Sequence, residues 1–370
     1  MVVTRLRLRD FRSYTSADVA LGEPLTVIHG PNGAGKTNLL EALYFGCTGR
    51  SCRTSTEREV VRFDASAARV EVSGRDRDGE HELSVGFAPG DAKRLKVDGA
   101  PVERLLDAPV RPLVGVFLPD RLELVKGAPA LRRSHLDALI GALWPARAGT
   151  RRAYSQTLAQ RNALLARLRA GHGSRASLSA WDLELARHGI ALRDDRAQAV
   201  AKLAERFTAI GNELGLLGDA TLRYRPRSEA QTLEQLAAEL AERIDSDLDR
   251  GFTGHGPHRD ELLLLRDGRE LRVYGSQGEQ RLALLALLLA ERAALADERG
   301  AVPLLLLDDV MSELDAERRE KLIERIGRAG QSVITTTDLA HVPGAEARGV
   351  VRLRVAPGTV TADQPPALAA

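Results

Sequence analysis

The chain opens on strict alternation, with Leu6 and Leu8 set between Arg5, Arg7 and Arg9. A period of two puts apolar side chains on one face and charges on the other, which predicts a strand with a wet, basic face over 4–9. A short apolar strand over 25–28 runs into a glycine loop, and 38–45 reads as a helix. Apolar stretches over 70–72, 83–87 and 95–97 are separated by turn clusters such as Arg77-Asp78-Gly79 and Val97-Asp98-Gly99, so a β-rich lobe is expected over 60–118. From 131 to 250 the pattern turns helical. Val200, Leu203, Phe207, Ile210 and Leu214 recur in steps of three and four, a heptad-like seam too short for a long supercoil. Gly171-His172-Gly173-Ser174 breaks the run, so packed helices with a turn near 171–178 are expected. Strands return from 261, at 302–307, 333–337 and 349–355, with a helix over 283–295. That alternation predicts a mostly parallel sheet. The fold class is therefore α/β: a mixed sheet flanked by helices plus the β-rich lobe, built from 1–125 and 250–360, with a helical second domain over 126–249 and a flexible tail at 361–370.

Composition changes this picture little. Aromatic residues make up only 4% of the 370, so cores must be built from Leu, Val, Ile and Ala. A net charge of +2 creates no general attraction for nucleic acid, and any DNA contact must come from local patches. Two are candidates: Arg5, Arg7, Arg9 and Arg12, which equally suit a solvated strand face, and Arg132, Arg133, Arg147, Arg151 and Arg152, chosen on charge density alone. The longest apolar run, 282–290, is far short of the roughly 20 residues of a membrane span. The charged start is no signal peptide, so a soluble, cytoplasmic protein with no membrane partner is expected. Cys47 and Cys52 match no four-ligand zinc pattern and read as reduced thiols.

Three segments carry chemistry. Gly30-Pro31-Asn32-Gly33-Ala34-Gly35-Lys36-Thr37 fits G-x-x-x-x-G-K-[ST] between a strand and a helix. Such glycines let backbone N–H groups wrap phosphates, Lys36 would reach the β- and γ-phosphates, and the Thr37 hydroxyl would hold Mg²⁺. The apolar run 302–307 ends in Asp308 and Asp309. Asp308 would bind Mg²⁺ through its water shell, and Asp309 would orient or deprotonate the attacking water; like charges this close call for a cation. Ser276-Gln277-Gly278-Glu279-Gln280 satisfies an S-x-x-E capping box and also has the form of an ABC signature. Ser276 and Gly278 would then face the γ-phosphate of ATP held by another subunit. His255-Gly256-Pro257-His258-Arg259-Asp260 is a loop; we read it as a polar turn ordering the sheet edge near the nucleotide, since two His and one Asp make a thin metal shell.

The order of phosphate loop, signature, acidic strand end and Ser312-Glu313-Leu314-Asp315 resembles an ABC-type ATPase head. Thr337 stands at the switch position where transporter heads usually carry His, and no glutamine marks a Q-loop, whose place falls to Phe117-Leu118-Pro119-Asp120. Nearly the whole chain resembles the RecF family, related to Rad50 and SMC heads. The resemblance is carried by Leu6 to Tyr14, the phosphate loop, Leu40-Glu41-Ala42, Thr48-Gly49-Arg50-Ser51, Arg132-Arg133 with Leu136-Asp137, Gly256 to Asp260, Tyr274 to Gly278 and Leu307 to Asp315. Glu279-Gln280 departs from the Gln-Gln of many relatives. The resemblance implies an ATP- and Mg²⁺-dependent, weakly DNA-stimulated ATPase. It implies an ATP-driven homodimer that clamps single-stranded, gapped or junction DNA, works with other proteins of a recombination-mediator pathway to load recombinase, and supports SOS induction. The alternatives are a transporter ATPase subunit, a nuclease-type head, for which too little chain follows Asp338, and a nucleotide-gated scaffold that does not use DNA.

Overall fold

The computed structural model describes residues 1–363, which fall into two compact units. One comprises Met1–Arg121 and the described residues from Leu295 onward; the other is Leu122–Ala294.

The first unit is built on two six-stranded sheets. In the antiparallel one, Tyr14–Ala20, Val2–Phe11, Ala68–Arg75, Glu80–Phe87, Arg94–Val97 and Ala100–Pro101 lie side by side. Alternation decides its inner face: Leu6, Leu8, Val70, Val72, Leu83 and Val85 are all buried. The second sheet orders Thr359–Ala362, Val351–Ala356, Leu25–His29, Ser332–Thr336, Leu304–Leu307 and Val114–Phe117. Every neighbouring pair is parallel except the terminal 351–362 hairpin. Leu304–Leu307 is buried at every position, as a strand covered on both faces must be. The helix Lys36–Thr48 belongs to the same apolar core as both sheets through Leu39, Leu40, Leu43 and Phe45. Gly46 makes its approach possible, because a side chain there would overlap Val72 and crowd Val70.

The second unit packs the helices Pro129–Leu143, Thr150–Arg169, Leu178–Glu213, Leu233–Glu242 and Ile244–Arg250. The seam from Val200 to Leu214 is buried, and the break falls at 170–177, as the pattern predicts. The boundary differs from the expected one: residues 250–294 group with this helical unit rather than with the head. The reason is an unanticipated strand, Ala220–Arg225, which pairs antiparallel with Glu261–Arg266 and draws it into a three-stranded sheet. The expected tail also changes, since 361–362 belong to the strand Thr359–Ala362; residues 364–370 lie outside the described residues. No described helix is long and apolar enough to cross a membrane.

Buried ion pairs tie the second unit together. Arg161, fully buried, donates to Asp182, Asp247 and Thr253, each at 2.7 Å. Arg196 grips Asp137 with two bonds of 2.8 and 3.0 Å and donates to the Pro257 carbonyl at 2.7 Å. In the 255–260 loop, His258 has both ring nitrogens engaged, Nδ1 with the Tyr154 hydroxyl at 2.7 Å and Nε2 with the Thr253 carbonyl at 3.0 Å. His255 meets Glu239, and Asp260 takes Arg196 and Tyr224. The turn leads into the three-stranded sheet, not into the parallel sheet that carries the phosphate loop.

Burial lowers the His258 pKa to about 4, opposed by the Thr253 hydrogen bond and helped by the charges of Arg259 and Arg133. A folded value below the unfolded one means that the stability tied to neutral His258 is complete above about pH 6.5 and is lost as pH falls toward 4. We expect the helical unit to lose about 2 kcal/mol between pH 7 and pH 5 from this residue. Urea unfolding followed by tryptophan fluorescence reads this unit alone, because Trp144 and Trp181 both lie in it. The His258→Asn variant should be less stable at pH 7 but lose less on acidification; an unchanged pH slope contradicts the assignment.

Candidate nucleotide-binding site

The strand Leu25–His29 is apolar and ends where glycines begin. A side chain at Gly30 would overlap the Val355 carbonyl, so this exit has room for hydrogen only. Gly33 (φ 77°) and Gly35 (φ 113°) take backbone conformations that suit glycine. Pro31, Asn32 and Gly33 are exposed, whereas Ala34 packs into the core. The loop is braced by the bend after the first strand. There the Tyr14 hydroxyl donates to the Gly35 carbonyl at 3.1 Å, Asn38 donates to Ser13 at 2.9 Å, and Arg12 grips the fully buried Glu41 with two bonds of 2.9 and 2.7 Å. Arg12 is therefore a structural anchor of the loop's helix and not a free phosphate contact.

Lys36 begins that helix, and its ammonium donates to the carbonyls of Gly30 at 2.8 Å and Pro31 at 3.0 Å. Burial lowers its pKa, opposed by the charges of Asp309 and Asp308. The Thr37 hydroxyl faces both carboxylate oxygens of Asp308, at 3.0 and 2.9 Å. Thr335 donates to Asp308 Oδ1 at 2.6 Å and accepts from the Asp309 N–H at 2.9 Å. Burial raises the Asp308 pKa, opposed by the Thr335 and Thr37 hydrogen bonds. Asp309 adopts a left-handed backbone (φ 48°), and its Oδ1 is buried with no hydrogen-bond partner among the described residues. A buried carboxylate oxygen without a partner is costly unless something completes it.

Loop, lysine, hydroxyl and both carboxylates of the sequence reading thus come together in the first unit. Thr335 was missed. Thr337, at the expected switch position, is half-buried two residues further on, while Thr335 holds both aspartates. The parallel register sets Leu307 opposite Ile334, so the next residues, Asp308 and Thr335, meet. Phe117, at the end of a neighbouring parallel strand, accepts from the Asp308 N–H at 2.9 Å, which brings the 117–120 segment to the same strand ends.

The donor set fits Mg²⁺: one hydroxyl and one carboxylate, oxygen only, beside the unsatisfied Asp309 oxygen. Among the described residues no group of three or more His, Cys, Asp or Glu gathers to cage a metal. The pair therefore suits a cation that keeps water and phosphate ligands.

In the second unit the signature starts the helix Gln277–Arg299. Its capping box is reciprocal: the Ser276 N–H donates to Glu279 Oε2 at 2.8 Å and the Glu279 N–H to Ser276 Oγ at 3.3 Å. Glu279 also pairs with Arg266. Gln280 is buried and donates to the carbonyls of Leu271 at 3.0 Å and Gly275 at 3.2 Å, clamping the turn before the helix. Ser276, Gln277 and Gly278 are exposed, with open space where a Gly278 side chain would stand. Beside them Val273 and Tyr274 are 60% and 64% exposed.

Most of the arginines chosen as DNA contacts are already paired. Arg5 meets Asp18, Arg7 meets Glu82, Arg132 meets Glu261, Arg147 meets Asp195 and Arg151 meets Asp137. Charge density along the sequence therefore overstated the free charge at both patches.

The AAA domain family matches residues 5–103. The chain is 40% identical to the DNA replication and repair protein RecF of Anaeromyxobacter sp. (strain Fw109-5), over 91% of this chain and 93% of the relative. It is 37% identical to that of Myxococcus xanthus (strain DK1622), over 99% and 100%. Its fold matches a solved structure of the recombination mediator protein RecF-ATP in the RecFOR pathway with a TM-score of 0.85 at 29% identity, covering 98% of both chains. Identity of this degree along almost the entire chain shows that it belongs to the RecF family of DNA replication and repair proteins.

Proposed function

We propose that the chain is an ATP-dependent DNA-binding ATPase of replication and recombinational repair, and that two copies close around ATP. The observation that carries the pairing is the exposed helix start at Ser276–Gly278: all three residues are exposed at the positive end of the helix dipole, and no side chain at Gly278 obstructs an approaching phosphate. The exposed Val273 and Tyr274 beside it give that face apolar area to bury against a second copy.

On this reading the 30–37 loop wraps the triphosphate through its backbone N–H groups. Lys36 exchanges its loop carbonyls for phosphate oxygens, so the ammonium leaves weak partners for a charged one. Thr37 and Asp308 hold Mg²⁺, which supplies neutralisation of the charge developing on the phosphates. Asp309 Oδ1, unsatisfied in the fold, takes the proton of the attacking water or orients it. Ser276 and Gly278 of the second copy cover the γ-phosphate, so ATP links the two chains. Hydrolysis is slow and reopens the pair. Family membership supports DNA as the ligand of the closed pair, single-stranded or gapped. The solved relative of the RecFOR pathway supports work with other proteins of a recombination-mediator pathway; on this reading the pair acts in the cytoplasm, promoting recombinase loading and SOS induction.

The test is gel filtration with ATP, with ADP and without nucleotide, each repeated with gapped DNA. The chain should shift to twice its mass with ATP alone. Lys36→Met should abolish nucleotide binding and the shift. Ser276→Arg should bind ATP with wild-type affinity and remain monomeric; a Ser276→Arg chain that still pairs contradicts the shared site. Asp309→Asn should keep ATP-dependent pairing while hydrolysis falls about 10²- to 10⁴-fold, the usual contribution of a positioned base. Unimpaired turnover in that variant would move the base elsewhere.

A further inference from the structure

The helical unit carries an open cavity of about 500 Å³ lined by the start of the helix Pro129–Leu143, the segment 225–227 and the turn Pro257–Arg259. A second, of about 400 Å³, is also lined by Arg227 and Arg259 and by Arg250 and Phe252. Five arginines line the two: Arg133, Arg225, Arg227, Arg250 and Arg259. None of the five has a carboxylate partner among the described residues, whereas the neighbouring Arg132, Arg161 and Arg196 are all ion-paired. Glu261 also lines the first cavity but is already held by Arg132 at 2.8 Å. Arg133 is fixed by a 2.8 Å bond to the Asp260 carbonyl, and its pKa is lowered by burial and by the nearby charge of Arg196. Arg259 lies 5.7 Å from the ring centre of Phe252, which is 41% exposed.

Five guanidinium groups without an ion-pair partner among the described residues line one groove, and a bound polyanion would supply the missing partners. Guanidinium forks match phosphate geometry better than any other side chain. Two cavities sharing Arg227 and Arg259 form a track, which suits a repeating anion more than a single one. The exposed Phe252 ring beside the track offers a face on which an unpaired base can stack. We propose that this groove holds the sugar–phosphate backbone of single-stranded DNA, with Phe252 stacking on a base. The inference rests on the DNA-binding reading above and assigns it a surface.

The experiment measures binding of a fluorescent oligothymidylate to the full chain with ATP across a salt series. Variants are Arg227→Ser/Arg259→Ser, Phe252→Ala, and Arg152→Ser as an exposed arginine outside the groove. ATP-dependent pairing by gel filtration checks that each variant folds. The double variant should bind at least tenfold more weakly, and its slope of log affinity against log salt should fall by about 1.4, the loss of two single-strand phosphate contacts. Phe252→Ala should weaken binding about 5- to 100-fold with the slope unchanged, as loss of one stacked base does. Unchanged affinity and slope in the double variant, or an equal loss in Arg152→Ser, overturns the groove while leaving the DNA reading intact. A wild-type chain that binds no DNA overturns both. Normal DNA binding with lost affinity for a polyglutamate peptide assigns the groove to an acidic protein partner and overturns the proposal.

Discussion

A single desolvated carboxylate organises the head. Asp308 sits at the end of a fully apolar strand, where an uncompensated charge would cost several kcal/mol. The fold compensates it with hydroxyls from two other elements, Thr37 at the start of the phosphate-loop helix and Thr335 at the end of the adjoining strand. Because a hydroxyl must come within hydrogen-bond distance to do this, the three elements are held in one register. On the proposed reading, the groups that handle phosphate take their spacing from these three elements. Arg12 and Glu41 brace the same helix one turn further on, and Tyr14 holds the loop at Gly35.

On the proposed reading, the nucleotide site is completed by a second copy. The loop and Lys36 supply positive charge, and Asp309 Oδ1 has no hydrogen-bond partner among the described residues. The exposed start of the signature helix carries the complementary group: a helix end capped on itself by Ser276 and Glu279, with its glycine open. On the proposed reading, that helix start would meet the triphosphate of a second copy, and nucleotide occupancy would set how many chains face DNA.

Much of this was legible in residue order because the relevant signals are local. A buried strand of four leucines, a glycine loop flanked by strand and helix, and an S-x-x-E cap each announce themselves within a few residues. What escaped depends on partners far away in sequence. Thr335 stands in a run of three threonines, and only the register against Leu307 shows which one meets Asp308. The strand Ala220–Arg225 alternates weakly inside a helical stretch and is revealed by its pairing with Glu261–Arg266, which moved the domain boundary. The arginine patches misled for the same reason. Arg132 and Arg147 find their carboxylates at Glu261 and Asp195, and the unpaired charge gathers instead around Arg225, Arg227 and Arg259, which only the fold brings together.

The central claim, that each ATP is held by two chains, is tested most directly by mixing two defective ones. A Lys36→Met chain still offers an intact signature helix, and a Ser276→Arg chain an intact phosphate loop, so a mixed pair contains one complete site. Hydrolysis measured as the two are titrated against each other should rise from background in each alone to a maximum near equal amounts. A mixture no more active than its components would contradict a site shared between chains.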